Sequence, residues 1–372
     1  MKITPHIRFV DNNKSRKDFF PTLRKRVDNY FKENNISKHH NPQMVIKTII
    51  LLAAYILPFI AILVFQPSFG ISLVLWSVMG FALSGVGMSV MHDANHNAYS
   101  ANEKTNYWVG HTLNMLGGSV YNWKLQHNVM HHTYTNVVNM DDDIDDKLIL
   151  RFSPHTKVKW YQKFQFIYAF LLYGILTIYW AVAKDFVQFN KYTKTKVNKA
   201  SKEQNRIILT KIILSKIGYF FIFFIVPIVL LKMPALYIIS GYLLMQFISG
   251  VVLTVIFQLA HTVEETSHPL PNENLTIEND WAIHQLNTTV NFSRKNKFIS
   301  WYVGGLNFQV EHHLFPTICH VHYPEIAHIV KATAEEYGVP YLENETFGLA
   351  LKSHIRTLQR FGKMPDLNEA LG

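Results

Sequence analysis

The sequence of 372 residues contains one cysteine, Cys319, and only 17% of its residues are charged. A single cysteine excludes an intrachain disulfide and any metal site built from several thiolates of one chain. Between Thr48 and Met91 there is no Asp, Glu, Lys or Arg. Because a bilayer crossing needs about 20 apolar residues, this stretch predicts two crossings joined by a turn at residues 66–68.

The sequence also lacks internal repeats and low-complexity tracts, and we expect no secretory signal. Its first 40 residues are polar and basic, and its first apolar run is too long for a signal peptide. The net charge is +10. Nucleic-acid binding would require a basic face on a soluble domain, which the pattern does not indicate. The basic residues are better explained as cytoplasmic loops of a membrane protein, under the positive-inside rule.

Five apolar runs predict the topology. Lysines and arginines are dense at 184–211 and also precede the third run, so both ends of that run are expected in the cytoplasm. It therefore does not span, and we predict an interfacial or re-entrant helix there. Four crossings remain, with Lys216 expected to extend toward the cytoplasmic edge. The five runs are 44–66, 69–91, 164–183, 208–231 and 235–260.

The predicted fold is all-α: an integral membrane four-helix bundle with a cytoplasmic helical cap that holds a metal site, and one interfacial helix. The protein is expected in an inner or cytoplasmic membrane, with both termini and the metal site in the cytoplasm. The expected segments are a polar basic arm (1–43), a first transmembrane hairpin (44–91), a cytoplasmic segment (92–163), the interfacial helix (164–183), a basic loop (184–211), a second hairpin (208–260) and a cytoplasmic segment (261–372).

Seven of the 19 histidines fall in three short clusters beside apolar runs. Neutral imidazole is the commonest protein metal ligand. Histidines spaced i, i+4 share one face of a helix, whereas the next residue points about 100° away. Adjacent histidines therefore suit two different ions, and seven exceed the needs of one, so we predict a two-metal centre at the membrane face. The seven are His92, His96, His127, His131, His132, His312 and His313.

Other residues are candidates by position. His261 closes the last apolar run, and Gln309 lies on the same helical side as His312. Metal-bound histidines usually donate their other N–H to a carboxylate or carbonyl, and acidic residues lie in or near the clusters. These carboxylate candidates are Asp93, Asp141, Asp142, Asp143 and Glu311, and the acidic run continues to Asp145 and Asp146. For most of that run the simpler interpretation is a solvated loop.

Eight further histidines have no comparable spacing. We expect them at the surface or around the ligands, and His284 is the least clear of them. They are His111, His155, His268, His284, His320, His322, His328 and His354. Structural zinc takes four ligands in a closed site, which would leave half of the candidate set unexplained. The histidines alone do not exclude copper or zinc.

The three clusters resemble the histidine boxes of the membrane fatty acid desaturase family, over about Met91 to Val330. The stretch from Gly304 to Pro316, with Gln309 opening the third box, resembles the front-end desaturases. These enzymes insert a double bond between an existing one and the carboxyl end. Further similarities to that branch are Asn122-Trp123, Gln285-Leu286 and Asn291.

The resemblance implies a non-haem di-iron enzyme that uses O₂ and two external electrons to desaturate an acyl chain of the linoleoyl type, in an acyl lipid or acyl-CoA. It implies that the seven box histidines are iron ligands, that His261 is a further ligand, and that Gln309 replaces a histidine directly or through a water. Many front-end enzymes carry a fused cytochrome b5 domain with a His-Pro-Gly-Gly motif, which this sequence lacks. We therefore expect no haem here and a separate ferredoxin or cytochrome b5-like electron carrier.

Two alternatives remain open. A sphingolipid desaturase or a lipid hydroxylase would use the same boxes, because the same centre can insert oxygen instead of removing hydrogen. A metal transporter or sensor would place polar ligands near the bilayer midplane. Here the histidines lie at the ends of the apolar runs, which disfavours transport.

Overall fold

The computed structural model describes residues 7–11, 13–144 and 149–365, so Asp145 and Asp146 lie outside the described residues. The chain divides into two compact units. The first comprises 41–125 and 170–255, and the second comprises 2–40, 126–169 and 256–372.

Helices dominate both units. The α-helices are α1 (Phe19–Glu33), α2 (Pro42–Phe65), α3 (Phe69–Gly85), α4 (Met91–Asn95), α5 (Glu103–Gly110), α6 (Val120–Trp123), α7 (His132–Tyr134), α8 (Gln165–Tyr173), α9 (Leu176–Tyr179), α10 (Asp185–Lys194), α11 (Lys202–Phe220), α12 (Ala235–His261), α13 (Trp281–Thr288), α14 (Lys297–Tyr302), α15 (Gln309–Leu314), α16 (Tyr323–Glu336) and α17 (Phe347–Phe361). Among the described residues, four π-helical segments adjoin them, at Val86–Val90, Lys124–His131, Trp180–Lys184 and Phe221–Leu230.

 Short 3₁₀ turns occur at Lys14–Arg16, His111–Leu116, Trp160–Phe164 and His320–His322, and the strands are β1 (Arg8–Val10), β2 (Thr276–Glu278), β3 (Asn291–Phe292) and β4 (Glu343–Asn344).

Within the described ranges, four helical stretches are long and apolar enough to cross a membrane. This agrees with the four predicted crossings and confirms the all-α membrane architecture. The third stretch begins six residues earlier than predicted, because Ser201 and Gln204 form a reciprocal capping box at its start. The four stretches are Pro42–Phe65, Phe69–Asn95, Lys202–Leu230 and Ala235–His261.

The predicted turn between the first two stretches is present. Gln66 ends α2 in the left-handed conformation, with φ 42°. Beyond it, α3 runs through the π-helical residues 86–90 directly into α4. The helix therefore continues past the apolar run, as expected if the first histidine cluster lies at its end, and it carries His92 on its last turns.

The segment predicted as an interfacial helix is bent. Helical stretches 160–173 and 176–194 meet at an angle of 60°. Gly174 lies at the break, and a Cβ there would come within 2.1 Å of the Phe247 ring, so a side chain does not fit. The helix continues to Lys194 and α11 begins at Lys202, so about three quarters of the basic segment predicted as a loop (184–211) is helical.

The expectation for Lys216 was wrong. Its side chain does not extend toward water but is buried, with 6% exposure. The Nζ atom forms an ion pair with Asp185 at 2.8 Å and donates to the carbonyl oxygens of Gly117 and Ala181 at 2.8 and 2.9 Å. The buried carboxylate and the carbonyl dipoles stabilise the positive charge of Lys216 better than extension of its side chain to the membrane surface would.

The second unit has its own apolar core, to which the N-terminal region contributes. Helix α1 buries Phe19, Leu23, Val27 and Phe31, one residue every four, against the cluster that includes residues of α13 and α16. Part of the region predicted as a polar arm, helix α1, therefore packs in the apolar core of this unit. Two parallel strand pairs, β1 with β2 and β3 with β4, complete this unit.

Candidate metal centre

In the second histidine cluster, His127 and His131 lie on the π-helix Lys124–His131, and His132 begins α7. A π-helix bonds i to i+5, so His127 and His132, five residues apart, come to one face. Their Nε2 atoms are 3.3 Å apart. The α-helical geometry assumed for the prediction does not hold here, and His127 and His132 approach each other closely. His131 lies beside them, with its ring centroid 5.2 Å from that of His127.

The second and third clusters meet around His313. The ring of His313 stacks on His132 with centroids 4.4 Å apart and lies 4.9 Å from both His131 and His261. His312 approaches His132 to 4.6 Å. All of these side chains are buried. Imidazoles from three distant parts of the sequence thus share one buried region of the second unit.

Two overlapping triads have metal-ligand spacing. In each triad, one ring nitrogen per histidine lies within 4.8 Å of the others. The two triads have His313 in common. The triads are His131, His261 and His313, and His132, His312 and His313.

Protein acceptors fix the ring orientation in the first triad. The Nδ1 atom of His131 lies 3.0 Å from Asp141 Oδ2, that of His261 lies 3.3 Å from the Thr288 carbonyl, and that of His313 lies 2.8 Å from Gln285 Oε1. Since these partners accept, each Nδ1 carries the proton and each Nε2 carries a lone pair. This is the tautomer that metal-bound histidines adopt.

Asp141 is the carboxylate partner of His131. Burial by itself lowers the pKa of His131, but the charge of Asp141 and the hydrogen bond to it outweigh burial and raise that pKa. Burial likewise opposes ionisation of Asp141, yet His131 and two backbone N–H groups lower the pKa of Asp141 to about 2. The carboxylate is therefore ionised, and it stabilises positive charge on the ring from a proton or from a metal at Nε2.

Gln285 joins the second and third clusters. Its Nε2 donates to the His132 carbonyl at 3.2 Å while its Oε1 accepts from His313. It lies on α13, whose first turn is capped by Asp280. Histidine spacing gives no signal for such a residue; only the family resemblance pointed to Gln285.

Gln309 lies at the start of α15, beside His261. Its Nε2 is 3.2 Å from His261 Nε2. Its buried Oε1 has no hydrogen-bond partner among the described residues, and the same is true of His131 Nε2. Buried polar atoms are normally paired, so both atoms fit a site that takes a cation.

The other carboxylate candidates differ. Glu311 is buried and accepts from Asn291 and Tyr341, both at 2.8 Å; burial raises its pKa although these hydrogen bonds lower it. Asp143 Oδ2 lies 3.8 Å from His131 Nδ1, beyond hydrogen-bond range. Asp142 is buried. Asp141 contacts a histidine directly and within hydrogen-bond range, at 3.0 Å from His131 Nδ1.

The first histidine cluster belongs to the first unit. His92 and His96 lie on and at the end of α4, with ring centroids 4.8 Å apart. The indole of Trp123 meets both rings edge-on, at 5.7 and 5.6 Å. The Asp93 carboxylate is 3.9 Å from His92 Nδ1. The predicted i, i+4 pairing of these two histidines is therefore present.

Several of the histidines without cluster spacing are not at the surface. His284, His320, His322 and His354 are buried. Burial lowers the pKa of His284 and that of His354 to about 4, so both are neutral at physiological pH. His354 Nδ1 donates to the Thr262 carbonyl at 2.7 Å, directly after His261 in sequence. These rings pack and support the unit.

Comparison with known proteins agrees with the sequence resemblance. The family described as "Fatty acid desaturase" matches residues 68–344. The chain is 36% identical to the sn-1 linoleoyl-lipid 6-desaturase of Arthrospira platensis over 94% of each chain. It is also 36% identical to the protein of that name from Synechocystis sp., over 94% of this chain and 96% of the relative. The acyl-lipid (8-3)-desaturase of Physcomitrium patens is 35% identical over 93% of this chain and 72% of the relative.

Proposed function

Because this chain belongs to the fatty acid desaturase family, we propose that it is a front-end acyl-lipid desaturase that inserts a cis double bond into an acyl chain of a membrane lipid. Family membership makes it an oxidoreductase acting on fatty acyl chains. The front-end position is supported by relatives named as 6-desaturases and (8-3)-desaturases. It is also supported by the glutamine that opens the third box.

The observation that carries the proposal is the first histidine triad. Three Nδ1 atoms donate to Asp141, Thr288 and Gln285, so three Nε2 lone pairs remain in one buried region. Neutral imidazole nitrogens are common metal ligands, so this triad suits a cation. The donor set is nitrogen with amide oxygen and contains no thiolate, which suits iron.

We propose that the site holds two iron ions. When bound, they would supply, with O₂ and two external electrons, the oxidising power that removes two hydrogens from a pair of methylene groups. The ligands proposed within the second unit are His127, His131, His132, His261, His312 and His313, with Gln309 as a ligand directly or through a water. His92 and His96 are proposed to complete the set, on the basis of their spacing and the family boxes.

The protein residues themselves would bind the metal ions and orient the ligand rings. Asp141 and Gln285 hold the rings of His131 and His313 in the tautomer that leaves Nε2 as the ligand atom. Burial of the histidines excludes water from the region where hydrogen is removed, which prevents side reactions.

The relatives and the charge pattern support proposals for the lipid substrate, the electron carrier and the side of the membrane on which the site lies. We propose a linoleoyl-type chain esterified in a membrane lipid, because two relatives are named for linoleoyl-lipid. Electrons would come from a separate carrier of the ferredoxin or cytochrome b5 type. The basic segments support our proposal that both termini and the metal site lie on the cytoplasmic side, with segment 164–183 at the interface.

The test is expression in a host without polyunsaturated lipids, supplied with linoleate. We expect a new fatty acid two hydrogens lighter, with its added double bond on the carboxyl side of the existing ones. The His312→Ala variant should insert into the membrane and form no product. A product heavier by one oxygen would instead identify a lipid hydroxylase, and a product whose new bond lies toward the methyl end would overturn the front-end assignment.

A further inference from the structure

Helix α14 presents aromatic side chains to its surroundings. Phe298 is 73% exposed and Trp301 is 36% exposed, and their i, i+3 spacing places them on one side of the helix. Tyr302 stacks on Phe298, with ring centroids 6.4 Å apart and planes 9° apart. No residue of this helix is buried. Such a surface is unfavourable in water, because large apolar area remains hydrated.

Positive charge flanks these aromatic residues. Lys295 and Lys297 are both exposed. The neighbouring Arg294 is engaged differently, since its Nε donates to Glu343 at 2.8 Å. Aromatic rings beside lysines are typical of protein surfaces at the boundary between lipid headgroups and acyl chains. Lysines at that depth attract anionic headgroups.

The structure holds α14 in a defined position. Asn296 caps its first turn by accepting from Ile299 N at 3.0 Å. Ser300 accepts from Asn307 Nδ2 at 2.9 Å and, through its carbonyl, from Gly305 N at 3.1 Å. These bonds tie α14 to the loop that leads into Gln309, so the aromatic side chains are presented by a fixed element close in sequence to the third box.

We propose that α14 is a bilayer-docking element of the second unit. Phe298 and Trp301 lie in the boundary between headgroups and acyl chains, and Lys295 and Lys297 contact anionic headgroups. This contact is additional to the membrane-spanning helices and does not depend on the proposed desaturase activity. It would hold the start of the third box at the lipid surface.

The test uses the scarcity of cysteine. Cys319 is buried, so a cysteine introduced by Phe298→Cys can be labelled selectively with a small fluorophore. The protein is reconstituted in vesicles that contain one third anionic phospholipid, with a quencher carried on lipid headgroups or iodide in the water. The control is Glu335→Cys, on the exposed acidic end of α16 in the same unit.

We expect the label at position 298 to be quenched severalfold more by the lipid-borne quencher than the label at 335, and iodide to show the reverse order. Adding Lys295→Glu and Lys297→Glu should reduce the lipid quenching at 298, whereas Lys331→Glu with Lys352→Glu, an equal charge change elsewhere, should not. Equal lipid quenching at 298 and 335 would overturn the proposal. So would strong iodide quenching at 298, as expected if this surface instead meets a soluble acidic protein.

Discussion

Replacing Asp141 by asparagine tests how the protein holds His131. The carboxylate accepts three N–H groups: Oδ2 lies 3.0 Å from both His131 Nδ1 and Asn136 N, and Oδ1 lies 3.0 Å from Asp143 N. An amide has one acceptor oxygen. In either orientation its NH₂ group therefore faces at least one of these donors, and the negative charge beside the His131 ring is lost.

The size of the effect follows from the role of such partners. Loss of a hydrogen-bond partner to a metal-bound histidine typically costs about 10- to 100-fold in metal affinity. A factor of ten corresponds to about 1.4 kcal/mol, so the expected loss is about 1.4–2.8 kcal/mol of iron binding. We expect the upper part of this range, because Asp141 is fully buried and its charge is little screened.

The assay is the iron retained by purified protein across a series of chelator concentrations. Asp280→Asn is the matched control: it makes the same change in the same unit, and asparagine caps a helix about as well as aspartate. Asp141→Asn should release iron at about 10- to 100-fold lower chelator concentration, while Asp280→Asn behaves as the unmodified chain. Equal iron retention by all three proteins would refute the argument that Asp141 sets the His131 ligand.

Two further predictions concern buried polar groups. Lys216→Met removes the ion-pair partner of Asp185, so the free energy of unfolding should fall by about 3–5 kcal/mol. The double variant Lys216→Met/Asp185→Asn should recover much of this loss in thermal melts, and no recovery would contradict the ion pair. Gln309→Ala should lower iron affinity by about 10- to 100-fold while Gln309→His retains iron, as measured by metal content; unchanged iron in Gln309→Ala would remove Gln309 from the site.

The sequence was informative where chemistry repeats at short spacing. An apolar stretch without charge predicted the first two spanning helices, and the S-x-x-Q pattern at Ser201 coincides with the start of the third. The i, i+4 histidines correctly predicted the pairing of His92 with His96. These features depend on local periodicity, which a sequence displays directly.

Features that depend on tertiary contacts were not predictable in this way. The π-helix that brings His127 and His132 together differs from an α-helix by its hydrogen-bond register, which residue spacing does not specify. Lys216 was expected at the membrane edge because it lies near the cytoplasmic end of an apolar run. Its partner Asp185 lies 31 residues away in sequence, so no local pattern indicates the ion pair. Gln285 joins two boxes from a third segment, so no pattern within either box indicates it.

Metal analysis of the purified protein tests the central claim most directly. We predict two iron ions per chain, and near-complete loss of both in His313→Ala, because His313 belongs to both triads. His354→Ala, which removes a buried histidine outside the triads, should retain iron if the variant folds. A chain that binds zinc in place of iron, or a His313→Ala variant that keeps two irons, would contradict the account.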